Sequence, residues 1–364
     1  TIDGAGITVD ANDVDRAFEI LGANVVTRGL SVTNGEVDDA DDKTGFGGGI
    51  RVGDDGALTM VGGVVSDSEA SKAGGGIENA GSYVVLLDVE LTGNTATGDA
   101  PAAAANGGAL HATGPTRVVN STVSENTAAL EGAGLWIGGG ATLTVSSSDI
   151  IDNTASGDAA DQGGAGLFAI GSRLEVHSSR IVNNVADGAS GSGGGILADA
   201  SVAIIRNTSV TGNTANRAGG GIEGTNESSV VLVQGDLGSN VVGTAPGNGG
   251  GLHLTGTSEA VILRSDVTNN TAGAEGGGLW NATGLMVVAQ STFTGNTGLG
   301  DDADNGGGAL YNNGGGLLVS LSTFTNNTAT GTSGSGGAIL NAGGLVGIVG
   351  SSFDSNAASR AGGA

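Results

Sequence analysis

Asp236 and Asp266 occupy the same place relative to a following asparagine, four residues before Asn240 and Asn270. If the segments that carry them lie side by side, their carboxylates come within about 5 Å. That is the separation of the two acids in a retaining glycosidase. Arg264, two residues from Asp266, adds a base or a counter-charge on the same face. The competing account is a solvated polar row in which Arg264 relieves acidic repulsion. A second set follows a recurrent Ile or Leu: His111, Trp136, Phe168, His253, Trp280 and Tyr311. The chain has 2 Trp, 2 Tyr and 3 His, so this concentration is not casual. It marks either an exposed stripe that stacks on glycan rings or on a neighbouring subunit, or a face that loops cover as a second core. A third set is acidic. Asp38, Asp39, Asp41 and Asp42 fall in one loop, and Asp301, Asp302 and Asp304 in another. Such clusters are candidate oxygen ligands for Ca²⁺, or solvated loops that keep the surface soluble. EF-hand spacing is absent, and no Ser/His/Asp set can be assembled from the spacing.

These residues are positioned by a repeat. A Gly-rich motif ending in Ile or Leu recurs as Gly47-Gly48-Gly49-Ile50 and Gly74-Gly75-Gly76-Ile77, and continues to Ile339. An apolar residue three positions before Asn recurs with it, as in Leu91/Asn94, Ile150/Asn153 and Phe324/Asn327. From each Ile/Leu to the next Asn is 16 to 18 residues, with Ser68 once in the Asn place. From Asn to the following Ile/Leu is 9 to 16. A segment of nearly fixed length plus one loop that absorbs every insertion, with a period of about 29 residues, describes a solenoid.

The fixed segments read Val84-Val85-Leu86-Leu87 or Val230-Val231-Leu232-Val233, short, β-branched and bounded by Gly, Asn, Asp and Ser. That is strand chemistry, and this density of Gly disfavours helix. The expected fold is all-β: a right-handed, single-stranded parallel β-helix of about twelve coils, with three short strands each and Phe18 opening the first. Residues 1–364 form one such domain. Gly then serves sharp turns with φ > 0 and close backbone approach. Asn94, Asn126, Asn153, Asn184, Asn213, Asn240, Asn270, Asn296, Asn327 and Asn356 stack as a hydrogen-bonded ladder. Asn also suits left-handed corners.

Composition narrows the partners. With 12 Lys+Arg against 37 Asp+Glu the net charge is −25, which argues against nucleic acid, whose binding needs a basic stripe. No apolar run reaches the roughly 18 residues of a membrane-spanning helix. The absence of Cys removes disulfides and thiolate metal sites. A hydrophobic content of 38% argues against disorder.

The paired motifs, standing here as Gly336-Gly337-Ala338-Ile339 and Phe324-Thr325-Asn326-Asn327, resemble the repeats of chlamydial polymorphic outer membrane proteins. The opening TIDGAGITVD…GLSVTNG resembles the first coils of pectate-lyase-like bacterial surface proteins. The resemblance implies an exported protein of the cell surface or extracellular space with a structural or adhesive role. It leaves a glycan-binding module and a polysaccharide lyase or hydrolase as alternatives, and it transfers no catalytic motif onto named residues. The chain closes on Ala361-Gly362-Gly363-Ala364, a repeat motif short of its Ile/Leu. Two expectations follow: a part of a longer chain, or head-to-tail self-association through open coil ends into a filament.

Overall fold

The computed structural model describes residues 1–38, 45–98, 105–244, 246–302 and 304–364. The alternation of apolar and polar residues gives each coil short strands separated by left-handed corners. One coil runs through Leu135–Ile137, Thr142–Ser146, Asp149–Ile151 and Thr154–Ala155. Each strand pairs in parallel with its counterpart in the next coil, in register. The expected three strands per coil are present, and a fourth of two residues joins them. The fourth strands alone form a 12-stranded sheet, one strand per coil. The others merge into a 34-stranded network. Phe18 pairs with Ile50, which places it in the first of twelve coils of a right-handed parallel solenoid. No helix among the described residues is long and apolar enough to cross a membrane.

The core is a set of columns. Ile77, Leu110, Leu135, Leu167, Ile196, Ile222, Leu252 and Leu279 are fully buried in one. Leu91, Val123, Ile150, Ile181, Val210, Leu237 and Val267 fill another. It ends in stacked rings, with Phe293–Phe324 centroids at 4.5 Å and Phe324–Phe353 at 4.9 Å. Small Ala96, Ala128, Ala155, Ala186 and Ala215 line the inside of the fourth strand.

The asparagine ladder runs unbroken from Asn94 to Asn356. Each Nδ2 donates to the Oδ1 of the asparagine in the next coil at 2.8–3.0 Å. The same Oδ1 also accepts the backbone N–H of the preceding ladder residue. Ser68 takes the first place and donates its N–H to Asn94. The ladder asparagines are not themselves the left-handed residues. That conformation falls on the residue before, such as Asn183 (φ 57°), Asn269 (φ 54°) and Asn326 (φ 56°). The ladder asparagine is instead chosen for an amide that both donates and accepts along the stack. A serine ladder runs beside it: Ser121, Ser148 and Ser179 each accept a backbone N–H from the coil before and donate to a carbonyl two residues back.

Of the Gly motif, the first residue bears the turn. Gly219 has φ 59°, and a Cβ there would meet the Ile222 carbonyl oxygen at 2.4 Å.

Candidate functional site

The residue after each Ile/Leu points away from the solenoid interior, as alternation requires. For most of the aromatic and histidine positions it does not reach solvent. Phe168 is 1% exposed, His253 3%, Tyr311 4%, and His111 and Trp280 7%, while Trp136 is half-buried. Of the two readings of this column, the burial fits the face that loops cover, because the segments of variable length fold back across it. Glu131, from one such segment, accepts the Trp136 Nε1–H at 3.0 Å. Glu275, from another, accepts the Trp280 Nε1–H at 2.8 Å.

The enclosed column is built twice. Glu78 Oε2 lies 2.7 Å from His111 Nδ1. The His111 ring stacks on Trp136 at 4.2 Å, and Trp136 on Phe168 at 6.2 Å with planes 4° apart. Five coils further on, Glu223 Oε2 lies 2.8 Å from His253 Nδ1. His253 stacks on Trp280 at 4.4 Å, and Trp280 on Tyr311 at 6.1 Å and 2°. Leu197 continues the first series and Leu340 the second. A cation stands at the same place in each: Lys72 lies over the Phe46 ring at 5.6 Å, and Arg217 Nη1 lies 3.6 Å from Glu223 Oε1. Arg217 also donates to Ser192 Oγ and to the Ala160 carbonyl, which ties three coils together.

Burial dominates the electrostatics. It pushes the Glu131 carboxyl up to about 7; the Trp136 hydrogen bond opposes this, and Asp161 and Asp199 add to it. Glu275 is raised for the same reason, against hydrogen bonds from Trp280 and Tyr311. The Tyr311 hydroxyl is raised by burial first and then by Glu275. Each constellation is thus a clip: a carboxylate on the loop holds an indole on the coil, and a buried Glu–His pair continues the stack.

The profile of the family described as the right-handed β-helix region matches residues 20–236. The chain belongs to the right-handed β-helix family. The chlamydial polymorphic membrane protein repeat also matches it, over residues 322–342. A search of curated proteins returned no match.

In this β-helix protein the acids Asp236 and Asp266 do lie opposite each other on adjacent strands, both exposed. Partial burial, with Asp266 adding, raises the Asp236 carboxyl, and a 3.2 Å hydrogen bond from Ser209 Oγ opposes this. Arg264 is not brought to them. It sits in a left-handed corner at φ 50° and donates from Nε to Gln290 Oε1 at 3.0 Å. Among the acidic loops, Asp39, Asp41 and Asp42 lie outside the described residues, and Asp38 is exposed. Asp301, Asp302 and Asp304 are exposed as well. Asp301 accepts the Thr332 N–H at 2.8 Å and its hydroxyl at 3.0 Å, which holds its carboxyl below the usual range. No group of three or more His, Asp or Glu among the described residues is arranged to hold a metal ion. A polar pocket of about 430 Å³ opens beside Arg217, lined by Thr225, Asn226, Glu227, Thr255 and Thr257.

The loop carboxylates Glu131 and Glu275, the cations Lys72 and Arg217, and the duplication itself escape a reading based on the repeat alone. Their signal is a longer period within the sequence. Asn106-Gly107-Gly108-Ala109-Leu110-His111 returns as Asn248-Gly249-Gly250-Gly251-Leu252-His253. Glu131-Gly132-Ala133-Gly134-Leu135-Trp136 returns as Glu275-Gly276-Gly277-Gly278-Leu279-Trp280.

Proposed function

We propose that this chain is a stiff, surface-displayed rod of an exported structural or adhesive protein, joined end to end into a fibre. The observation that supports it most is the unbroken asparagine ladder, which gives successive coils from Asn94 to Asn356 the same internal hydrogen bonds. Such a stack resists bending and holds its acidic loops outward over about 58 Å for twelve coils. The match to a repeat of chlamydial polymorphic membrane proteins supports a surface setting. Contact with a glycan-bearing surface would use exposed polar groups such as Glu227 and Thr257, since the rings of the outward column are largely covered. Two measurements test the proposal. Electron microscopy of the purified chain at native salt should show rods joined end to end; uniform single rods would remove the fibre. Antibody should label intact source cells; labelling only after permeabilisation would remove the surface role.

The raised carboxyl of Asp236 beside Asp266 favours one other reading, a polysaccharide hydrolase. Polymer degradation that Asp236→Ala and Asp266→Ala abolish, with the fold intact, would establish it in place of the rod.

A further inference from the structure

The outward face of the second strand changes character along the solenoid. One column of that face, read coil by coil, runs mixed through Val26, Thr59, Val85, Arg117, Thr144 and Glu175, and then aliphatic through Ile204, Val231, Val261, Val287 and Leu318. From Ile204 to Leu318 the inner side of the same strand is apolar, as in Ala203/Ile205, Val230/Leu232 and Met286/Val288, so packing of the core does not require this outer strip. Val261 is 38% exposed and Leu318 51%. Val233 and Leu263 widen the strip on adjacent coils. Five stacked aliphatic side chains without a charge are unusual on the surface of a chain whose net charge is −25.

We infer that this strip is a lateral docking face for a second copy of the same chain, packed sheet on sheet. Three observations select that occupant. The strip is flat and uniform, so it is complementary to itself across a two-fold axis, as an isologous interface requires. Two acidic bodies repel over the rest of their surface, and the strip is where their approach brings no carboxylates face to face. Its rim is also complementary. A two-fold axis through Val261 turns exposed Glu259, two residues before it, toward exposed Arg264 of the other copy, three residues after it, and does so twice. The area sets the strength. Five coils span about 24 Å and the strand about 16 Å, so two copies cover about 800 Å² together. That is below the roughly 1,200 Å² of stable interfaces, and the dimer is reversible. It tightens with salt, because the screening length falls from about 30 Å at 0.01 M to about 3 Å at 1 M.

Sedimentation velocity of the full chain over rising concentration, at low and high salt, tests this. The expected result is a dimer that grows with both, and that weakens at least tenfold in the double variant Val231→Glu/Val261→Glu. Folding of that variant is secured by precedent, since Glu175 and Arg117 occupy the same column in earlier coils, and circular dichroism checks it. End-to-end fibres, if present, persist in the variant, which separates this face from the coil ends. A wild-type chain that stays monomeric at high salt overturns the inference, as does a dimer that the double variant leaves unchanged. A monomer that floats with neutral phosphatidylcholine vesicles assigns the strip to a lipid surface and overturns it too.

Discussion

Asn213→Ala should open the solenoid locally, by an amount that follows from four hydrogen bonds. The Asn213 Nδ2 donates to Asn240 Oδ1 and to the Ile181 carbonyl, both at 3.0 Å. Its Oδ1 accepts the Asn184 N–H at 2.9 Å and the Asn184 Nδ2 at 3.0 Å. Truncation orphans the Asn184 N–H at a fully buried site. An unsatisfied buried donor costs about 1–3 kcal/mol, and each further lost bond about 0.5–1.5 kcal/mol net. Asn184 Nδ2 retains the Ile150 and Val182 carbonyls, and Asn240 Oδ1 retains the Asn213 N–H. The total is therefore about 3–5 kcal/mol.

The matched control is Asn356→Ala. Its Oδ1 accepts the same two donors from Asn327, but these bonds are only partly buried and water can replace them, so the cost is about 1 kcal/mol. Solenoid stability is nearest-neighbour, and a global unfolding curve blurs a local defect. Native-state hydrogen exchange at the Asn184 amide is the direct assay. Three kcal/mol corresponds to roughly a hundredfold faster exchange where opening is at equilibrium. Exchange within about threefold of wild type would refute the account, as would equal destabilisation by Asn213→Ala and Asn356→Ala. Either outcome would mean that strand pairing alone, without the ladder, holds the coils.

Three more outcomes are expected. Gly219→Ala forces a left-handed residue with a Cβ against the Ile222 carbonyl and should lower stability by at least about 2 kcal/mol in urea titration; a neutral effect would remove the turn argument. Trp280→Ala should cost roughly 3–5 kcal/mol, and in a Trp136→Phe background acrylamide should quench Trp280 weakly; quenching like that of free indole would restore the exposed stripe. Glu131, raised from 4.5 to about 7, keeps its proton in the folded chain between those values while the unfolded chain releases it. Its contribution to stability therefore falls as pH rises from 4.5 to about 7 and stays low above. Glu131→Gln should flatten that slope and stabilise the chain at about pH 8 by at most roughly 3 kcal/mol; parallel melting shifts for both proteins between about pH 5 and pH 8 would contradict it.

The fold was legible because each coil must solve the same problem with the same residues. Gly219, with its left-handed corner, and Asn213, with its amide, have counterparts along the chain, and periodicity exposes both. The serine ladder was not legible. Thr208 stands in for Ser in its column and Gly235 interrupts it, and Ser is common at strand ends for other reasons. For the site, alternation placed His111, Trp136, His253 and Trp280 on one outward column, and the pairing agrees. Their enclosure could not be read from alternation, which describes a strand and not what folds over it. The covering groups Glu131 and Glu275 come from the segments whose length varies most. Arg264 was misplaced for a related reason: it follows the strand Glu259–Leu263, where a left-handed corner turns the chain and breaks the alternation.

The duplication divides the variable segments into two kinds. Where Glu131 and Glu275 pin the indoles, a loop is part of the stability of the coil and cannot drift in sequence without exposing Trp136 or Trp280. Where a loop only caps its neighbour through exposed groups, as Asp301 does to Thr332, a substitution there touches no core residue. The clip also explains how a buried acid persists in so acidic a chain. Glu223 is 1% exposed, yet His253 and Arg217 both approach it, so the charge is not buried alone. Glu131 is held differently: burial raises its carboxyl, and the Trp136 hydrogen bond opposes this. Removing Arg217 should therefore harm the second clip more than removing Lys72 harms the first, since Arg217 reaches the buried Glu223 carboxylate while Lys72 lies over the Phe46 ring. Arg217 in addition carries the bonds to Ser192 and Ala160 that bind three coils, so its loss loosens the loop and the carboxylate together.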